Sequence, residues 1–381
     1  MDIYYFSFTR FPSEKAHSLY MAKVCESFAE VSNNRVRLVI PRRFGSVDKP
    51  YESFYGVKNN FKLVKLPCVD LFYGVPFLKH ATFFLGVVTY SISACIYTLV
   101  TISKESTIFS NDVFVAYLLT FFHKKVVYEL HDYPGGKLGL YRRLFNRCYL
   151  IQTNNNQKII LLSQQFGVDP EKMYCAHNGV TIKDFDIQQS QQEARKRLGL
   201  NCEDKIVVYT GHLYDWKGAD LLADVAVKMK RVSFLFIGGS KEDVIKMKNK
   251  YREYKNIHFL GFKPHSEIPL YQRAADVLVV PNTAKKEISR LHTSPMKIFE
   301  YMASKTPIVA ADVPSIREIL SEKNAFFFTP DDLGSLSNSI KRVLNLSDIE
   351  KMAVVNSSSL SVKEHSWLKR AMIIFERIKT N

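Results

Sequence analysis

Short apolar runs alternate with helical patterns along almost the whole chain, and many of these runs are unbroken stretches of valine, isoleucine and phenylalanine. A strand with one wet face alternates apolar and polar residues. An unbroken run belongs to a strand covered on both faces, as in a parallel sheet flanked by helices. The runs predict strands at 3–8, 36–40, 61–66, 107–110, 125–130, 149–153 and 173–176, then at 206–210, 233–237, 257–260, 277–280, 308–311 and 325–328. Helical periodicity fills the gaps, for example over 218–229 and 333–344. The chain therefore reads as α/β, with doubly wound parallel sheets.

At 381 residues the chain exceeds one ordinary hydrophobic core, so two domains are expected. The turn dipeptide Asn178-Gly179 follows the last strand of the first half. It suggests a first domain over 1–178 and a second over 179–362. A last helix, 363–381, carries Trp367, Ala371, Ile374 and Ile378 on one apolar face.

The net charge is +16, and residues 1–178 and 179–381 each hold half of that excess. A basic field spread over the whole molecule attracts phosphates, whether on nucleotides or on lipid headgroups. Nucleic-acid binding is a competing reading of the charge, but no helix-turn-helix, zinc-finger or RNP pattern accompanies it. The six cysteines are scattered without a C-x-x-C pair, which points to reduced thiols and a cytoplasmic protein. No signal-peptide pattern opens the sequence. From Ala81 to Ile102 no charged residue occurs. That stretch is long enough to span a bilayer. Its six serines and threonines favour a core helix with one side towards lipid over a true span.

In open parallel sheets, ligands bind beyond the carboxyl ends of the strands. After 206–210 comes Gly211-His212-Leu213-Tyr214-Asp215-Trp216-Lys217-Gly218, a glycine turn with a lysine at a helix start. Such a turn suits an anion but is neither a P-loop nor a dinucleotide fingerprint. Gly238-Gly239 follows the next strand and allows close backbone approach. In the segment 291–310, Thr293 or Ser294 can cap a helix whose first turn holds Pro295, offering free amides beside Met296. Glu300 lies within that helix. In the first half, Glu129-Leu130-His131-Asp132 stands at a strand end, where it can hold a polar ligand or serve acid–base chemistry.

Taken in order, these segments resemble glycosyltransferase family 4. The resemblance rests on Gly211…Lys217-Gly218, Phe236-Ile237-Gly238-Gly239, Ala275–Pro281, Ser294-Pro295-Met296-Lys297-Ile298-Phe299-Glu300, His177-Asn178-Gly179-Val180 and Pro307–Leu320. It is closest to a subset with a Ser-Pro-x-Lys form. It implies the GT-B fold: two Rossmann-like domains facing a cleft, with the C-terminal helix packing back on the N-terminal domain. It also implies a retaining enzyme with no metal and no cofactor beyond its nucleotide-sugar substrate, UDP- or GDP-linked.

By resemblance, Gly211, His212, Lys217 and the Thr293, Ser294, Pro295 and Met296 turn would hold the donor diphosphate. Glu300 would bind the ribose, and Phe262 and Lys263 would lie by the base. His131 would contact the transferred sugar, supported by Glu129 and Asp132, with Arg10 and His292 also on the sugar or acceptor side. Lys217, Glu300 and His131 would carry catalysis. The departures from the family are His212 in place of an arginine, and His292 where a glutamate often stands eight residues before Glu300. The 9–15 loop, which includes Glu14, lacks a glycine pair common in the family. The expected acceptor is a lipid-linked or surface glycan such as lipopolysaccharide or capsule, built at the inner face of an anionic membrane. A non-catalytic protein of the same fold and a nucleotide-sugar epimerase are the competing assignments.

Overall fold

The computed structural model describes the chain apart from residues 14, 32–34, 45–48, 72–78 and 137, and gives the backbone alone at 79; Glu14 of the 9–15 loop thus lies outside the described residues. It divides into two compact units, one of Met1–Ala176 with Trp367–Asn381, the other of His177–Ser366.

The N-terminal unit is built on seven strands: β1 (Asp2–Phe6), β2 (Arg35–Pro41), β3 (Lys62–Leu66), β4 (Thr107–Ser110), β5 (Val126–Leu130), β6 (Leu150–Thr153) and β7 (Met173–Cys175). They run in the order β3-β2-β1-β4-β5-β6-β7, every neighbouring pair parallel. The C-terminal unit holds β8 (Lys205–Thr210), β9 (Val232–Ile237), β10 (Ile257–Gly261), β11 (Val277–Val280), β12 (Ile308–Ala311) and β13 (Phe326–Phe328). Their order is β10-β9-β8-β11-β12-β13, again all parallel. This is the doubly wound order in which the winding reverses beside the first strand, here between β8 and β11. Central strands such as β4, β5, β6, β11 and β12 are buried at every residue. That burial is the physical reason their sequences do not alternate.

The apolar stretch after residue 80 is a 23-residue helix, Lys79–Thr101. Thr82, Val87, Tyr90, Ser91, Ala94 and Thr98 are buried, and the Tyr90 hydroxyl donates to the Val39 carbonyl at 2.7 Å. Leu85, Val88, Ile92, Ile96 and Leu99 repeat every three or four residues and are exposed. The helix is thus half core and half apolar surface.

The C-terminal segment differs from the single helix read from the sequence. A 3-10 turn, Val362–His365, is followed by an extended Ser366 that bridges to Val180, and only then by the helix Trp367–Thr380. The bridge, with the Val180 amide donating to the His365 carbonyl at 3.0 Å, interrupts the helical ladder. The unit boundaries accordingly fall at Ala176 and Ser366. The apolar stripe Trp367, Ala371, Ile374 and Ile378 is buried, and the helix packs on Ala16–Glu30 of the N-terminal unit.

A buried ion pair locks that helix in place. Arg370 donates from Nη2 to Glu129 Oε1 at 2.6 Å, and the two side chains are 3% and 2% exposed. Tyr5 and Tyr20 also donate to Glu129, as does Gln152 at 2.9 Å. Burial alone would raise the Glu129 carboxyl pKa. His131, Arg370 and the Tyr20 hydroxyl outweigh it and hold the group well below the usual carboxylate range.

Candidate active site

In the C-terminal unit the backbone leaving β8 turns through Gly211 into a 3-10 turn, Asp215–Lys217, and then into the helix Ala219–Lys228. Gly218 joins the two at φ 73°, and a Cβ there would lie 1.8 Å from the Pro281 carbonyl oxygen beyond β11. Only glycine allows this contact, which ties the lysine turn to the reversal point of the sheet. Gly238 meets Gly211 in the same way, with a Cβ position 2.4 Å from its carbonyl oxygen.

The helix Met296–Ala303 brings the second half of the site. Its N-cap is Pro295, and no side chain caps it. Neither Thr293 nor Ser294 takes the capping role expected for them, because the extended Pro295 itself occupies that position. The first-turn amides at Met296 and Lys297 are left for an anion, favoured there by the helix dipole. The Ser294 carbonyl accepts from Asn178 Nδ2 at 2.6 Å. The Tyr301 hydroxyl accepts from the Thr210 amide at 2.8 Å and pins the helix to the end of β8.

Cations crowd this point. Lys217 stands over the Trp216 ring at 5.0 Å, and burial lowers its pKa to about 8. Lys297 Nζ lies 3.7 Å from the centre of the Tyr209 ring, beside Gly211. His212 stacks on Tyr214 at 4.9 Å; burial, then Lys217, lower its pKa, with Lys297 contributing to the same end. Lys217 and Lys297 together place two positive charges beside His212 at this turn, and both favour its neutral form.

Glu300 is half-buried, and His265 Nε2 lies 3.2 Å from its Oε1. His265 opens the short turn that follows β10. Phe262, 58% exposed, and the half-buried Lys263 precede it. The loops after β8 and β10 and the Met296–Ala303 helix thus converge, placing cations at one end and the Glu300–His265 pair at the other. His292 ends a wide turn of five residues, Ile288–His292, of the π type often found at functional sites.

The remaining sequence-predicted residues belong to the N-terminal unit. His131 follows β5 with its ring 4.7 Å from that of Tyr20 and 5.4 Å from that of His17. Its Nε2 is 3.6 Å from Glu129 Oε2, beyond hydrogen-bond reach, and its carbonyl accepts from the buried Lys158. Glu129 lies beneath it in the core, its oxygens taken up by the partners named above. Asp132 is exposed and Arg10 half-buried.

Sequence reasoning assigned no role to Lys297 or His265. The signal for Lys297 was present: a lysine set among Ile298, Phe299 and Met302 on the apolar face of a short helix. His265 offered none.

Residues 190–358 match the family described as glycosyl transferases group 1. The D-inositol 3-phosphate glycosyltransferase of Mycobacterium tuberculosis is 26% identical over 156 residues, which cover 39% of this chain and 30% of that one. The match therefore spans less than a third of the relative's own length. Solved structures are similar over the full length. Sucrose-phosphate synthase from Thermosynechococcus elongatus has a TM-score of 0.78 at 16% identity, covering 100% of this chain and 98% of that one. Anabaena HepE in complex with UDP-glucose has a TM-score of 0.76 at 18% identity, covering 100% of both. Over residues 190–358, then, this chain is similar to the glycosyl transferases of group 1, and over its whole length it has the GT-B fold.

Proposed function

We propose that this protein is a retaining glycosyltransferase that moves a hexose from a nucleoside-diphosphate sugar to a lipid-linked or surface glycan, without a bound metal. The observation that carries this reading is the cation cluster at the end of β8, with the Glu300–His265 pair on the same helix and loop. Lys217 and the Met296–Ala303 amides would take the diphosphate, Glu300 the ribose hydroxyls, and Phe262 and Lys263 the base. As the bond from the sugar's anomeric carbon to the phosphate oxygen breaks, negative charge grows on the diphosphate. Lys217 and the helix amides stabilise that charge where it develops. The freed phosphate oxygen takes the proton of the acceptor hydroxyl while the new C–O bond forms on the same face, so configuration is kept.

HepE is bound to UDP-glucose in its solved structure, which makes a uridine nucleotide the first donor to try. A melting-temperature panel of UDP-, GDP-, ADP- and TDP-sugars is expected to give stabilisation by one nucleotide class, unchanged by EDTA. A flat panel would remove the donor reading. The anomeric configuration of the product, read by NMR, tests retention.

For the N-terminal unit we propose the acceptor side, with Arg10, His131 and Asp132 as its polar groups, held at the cytoplasmic surface of an anionic membrane. The exposed stripe Leu85, Val88, Ile92, Ile96 and Leu99 supports this. The helix Val113–Leu119 packs against both the Lys79–Thr101 helix and the basic helix Leu138–Arg147. Phe121 and Phe122 are exposed beside it, Arg147 covers the Phe121 ring at 3.9 Å, and Arg142 and Arg143 are exposed. Apolar stripe and arginines together suit acyl chains and anionic headgroups. The protein is expected to float with phosphatidylglycerol vesicles at low salt, and Ile92→Glu/Ile96→Glu to abolish flotation. Wild-type protein left in the pellet-free bottom fraction would count against the membrane assignment.

A further inference from the structure

Lys297 is 7% exposed, and its Nζ has no hydrogen-bond partner among the described residues. A buried ammonium is costly unless paired, and its nearest compensation among the described residues is the face of Tyr209 at 3.7 Å. Tyr209 is itself fully buried at the end of β8, its hydroxyl donating to the His212 carbonyl at 2.6 Å. A Cβ on Gly211 would lie 3.4 Å from Nζ, so the ammonium sits against the turn that leads to Lys217. The charged and titratable groups around it are Lys217 and His212 from that turn, Tyr209 from β8, and Glu300 and Tyr301 from its own helix. Glu300 is engaged by His265, and Asp243 acts on His212. The balance at Nζ is positive, with no carboxylate in salt-bridge range among the described residues.

We propose that Lys297 is a second diphosphate ligand of the donor site, facing the phosphates together with Lys217 and the first amides of its own helix. This deepens the glycosyltransferase reading and rests on it. The geometry explains an orphaned cation in the core, lying against the Gly211 turn that leads to Lys217. Burial, then the Lys217 charge, push the Lys297 pKa well below that of a free lysine, against an opposing pull from Glu300. A bound diphosphate reverses this and raises it. The sign follows: between the free and the bound pKa, binding takes up protons, and affinity falls as pH rises through that window. Lys217, lowered to about 8 when free, adds to the same effect.

The test is isothermal titration of UDP, GDP, ADP and TDP at pH 8, in two buffers of different ionisation enthalpy. The wild type is expected to bind one diphosphate with proton uptake. Lys297→Met should weaken that diphosphate by about tenfold or more, the worth of a charge-assisted bond, and should reduce the uptake. The matching nucleoside should be unaffected. Without nucleotide the Met variant should melt no lower than the wild type, since a buried unpaired charge has gone. Lys297→Arg, which keeps a cation, should recover part of the affinity and covers the case of a poorly folded Met variant. Affinity for the diphosphate within twofold of wild type in a folded Lys297→Met would overturn the assignment while leaving the donor site standing. Equal losses for nucleoside and diphosphate would reduce Lys297 to a packing role. Failure of the wild type to bind any of the four diphosphates overturns the donor reading itself.

Discussion

Replacing Lys217 by alanine is expected to slow sugar transfer by about a hundred- to a thousand-fold, the usual effect of removing one fixed donor from a developing anion. The loss should fall mainly on kcat, because the charge on the diphosphate is larger in the transition state than in the bound donor. The fold should survive. Lys217 makes no structural ion pair in the structure described, and the turn that carries it is set by Gly218 against Pro281. Release of the nucleoside diphosphate from the donor identified by the melting panel gives the rate, and the melting curve gives the control. The same lysine predicts a pH profile. In the free enzyme its pKa is lowered to about 8 by burial, so kcat/KM should fall as pH rises through that value, and the variant should lose this limb. Transfer by the alanine variant at wild-type rate would remove the mechanism.

The second large effect is on stability. Arg370→Met should cost about 3–5 kcal/mol, because it leaves the Glu129 carboxylate buried without its cation. Glu129→Gln combined with Arg370→Met should recover much of that loss, as the stranded charge is then gone. The chain has two tryptophans, and Trp367 lies one turn from Arg370. In a Trp216→Phe background, Trp367 fluorescence in urea therefore follows the N-terminal unit alone. An Arg370→Met unit as stable as the parent would show the pair to be dispensable. The pH dependence follows from the same group. Its folded pKa is depressed, so its contribution is complete above the ordinary carboxylate range and is lost as pH falls through the folded value. The stability of the N-terminal unit in urea should accordingly decline as pH falls below that range, and Glu129→Gln/Arg370→Met should flatten the decline.

The strands were legible because burial on both faces demands unbroken apolar runs, and each run read from the sequence is a strand within one or two residues at most of its ends. The lysine turn after β8 and the glutamate on the Met296–Ala303 helix were singled out through the ordered motifs, and both lie in the C-terminal unit. Caps were less so. The sequence offers Thr293 and Ser294 as N-caps, but the cap depends on backbone angles, and Pro295 took the place. The long apolar stretch was read as a core helix with a lipid-facing side; its length and composition did not say which residues would be covered, and packing on β2 and β3 decided that.

Glu129 and Lys297 show the limit most clearly. In sequence Glu129 sits in a polar cluster with His131 and Asp132, and it reads as a group near a ligand. In the fold it is closed in by Tyr5, Tyr20, Gln152 and Arg370, the last of these 241 positions away. Lys297 reads as one member of a motif and is, in the fold, a buried cation with no hydrogen-bond partner among the described residues. The α/β class, the strands and the glycine–lysine turn after β8 were already set by local periodicity and residue chemistry. Which charges are paired and which are left facing the site was decided only by the tertiary structure, since pairing is set by contacts between residues distant along the chain.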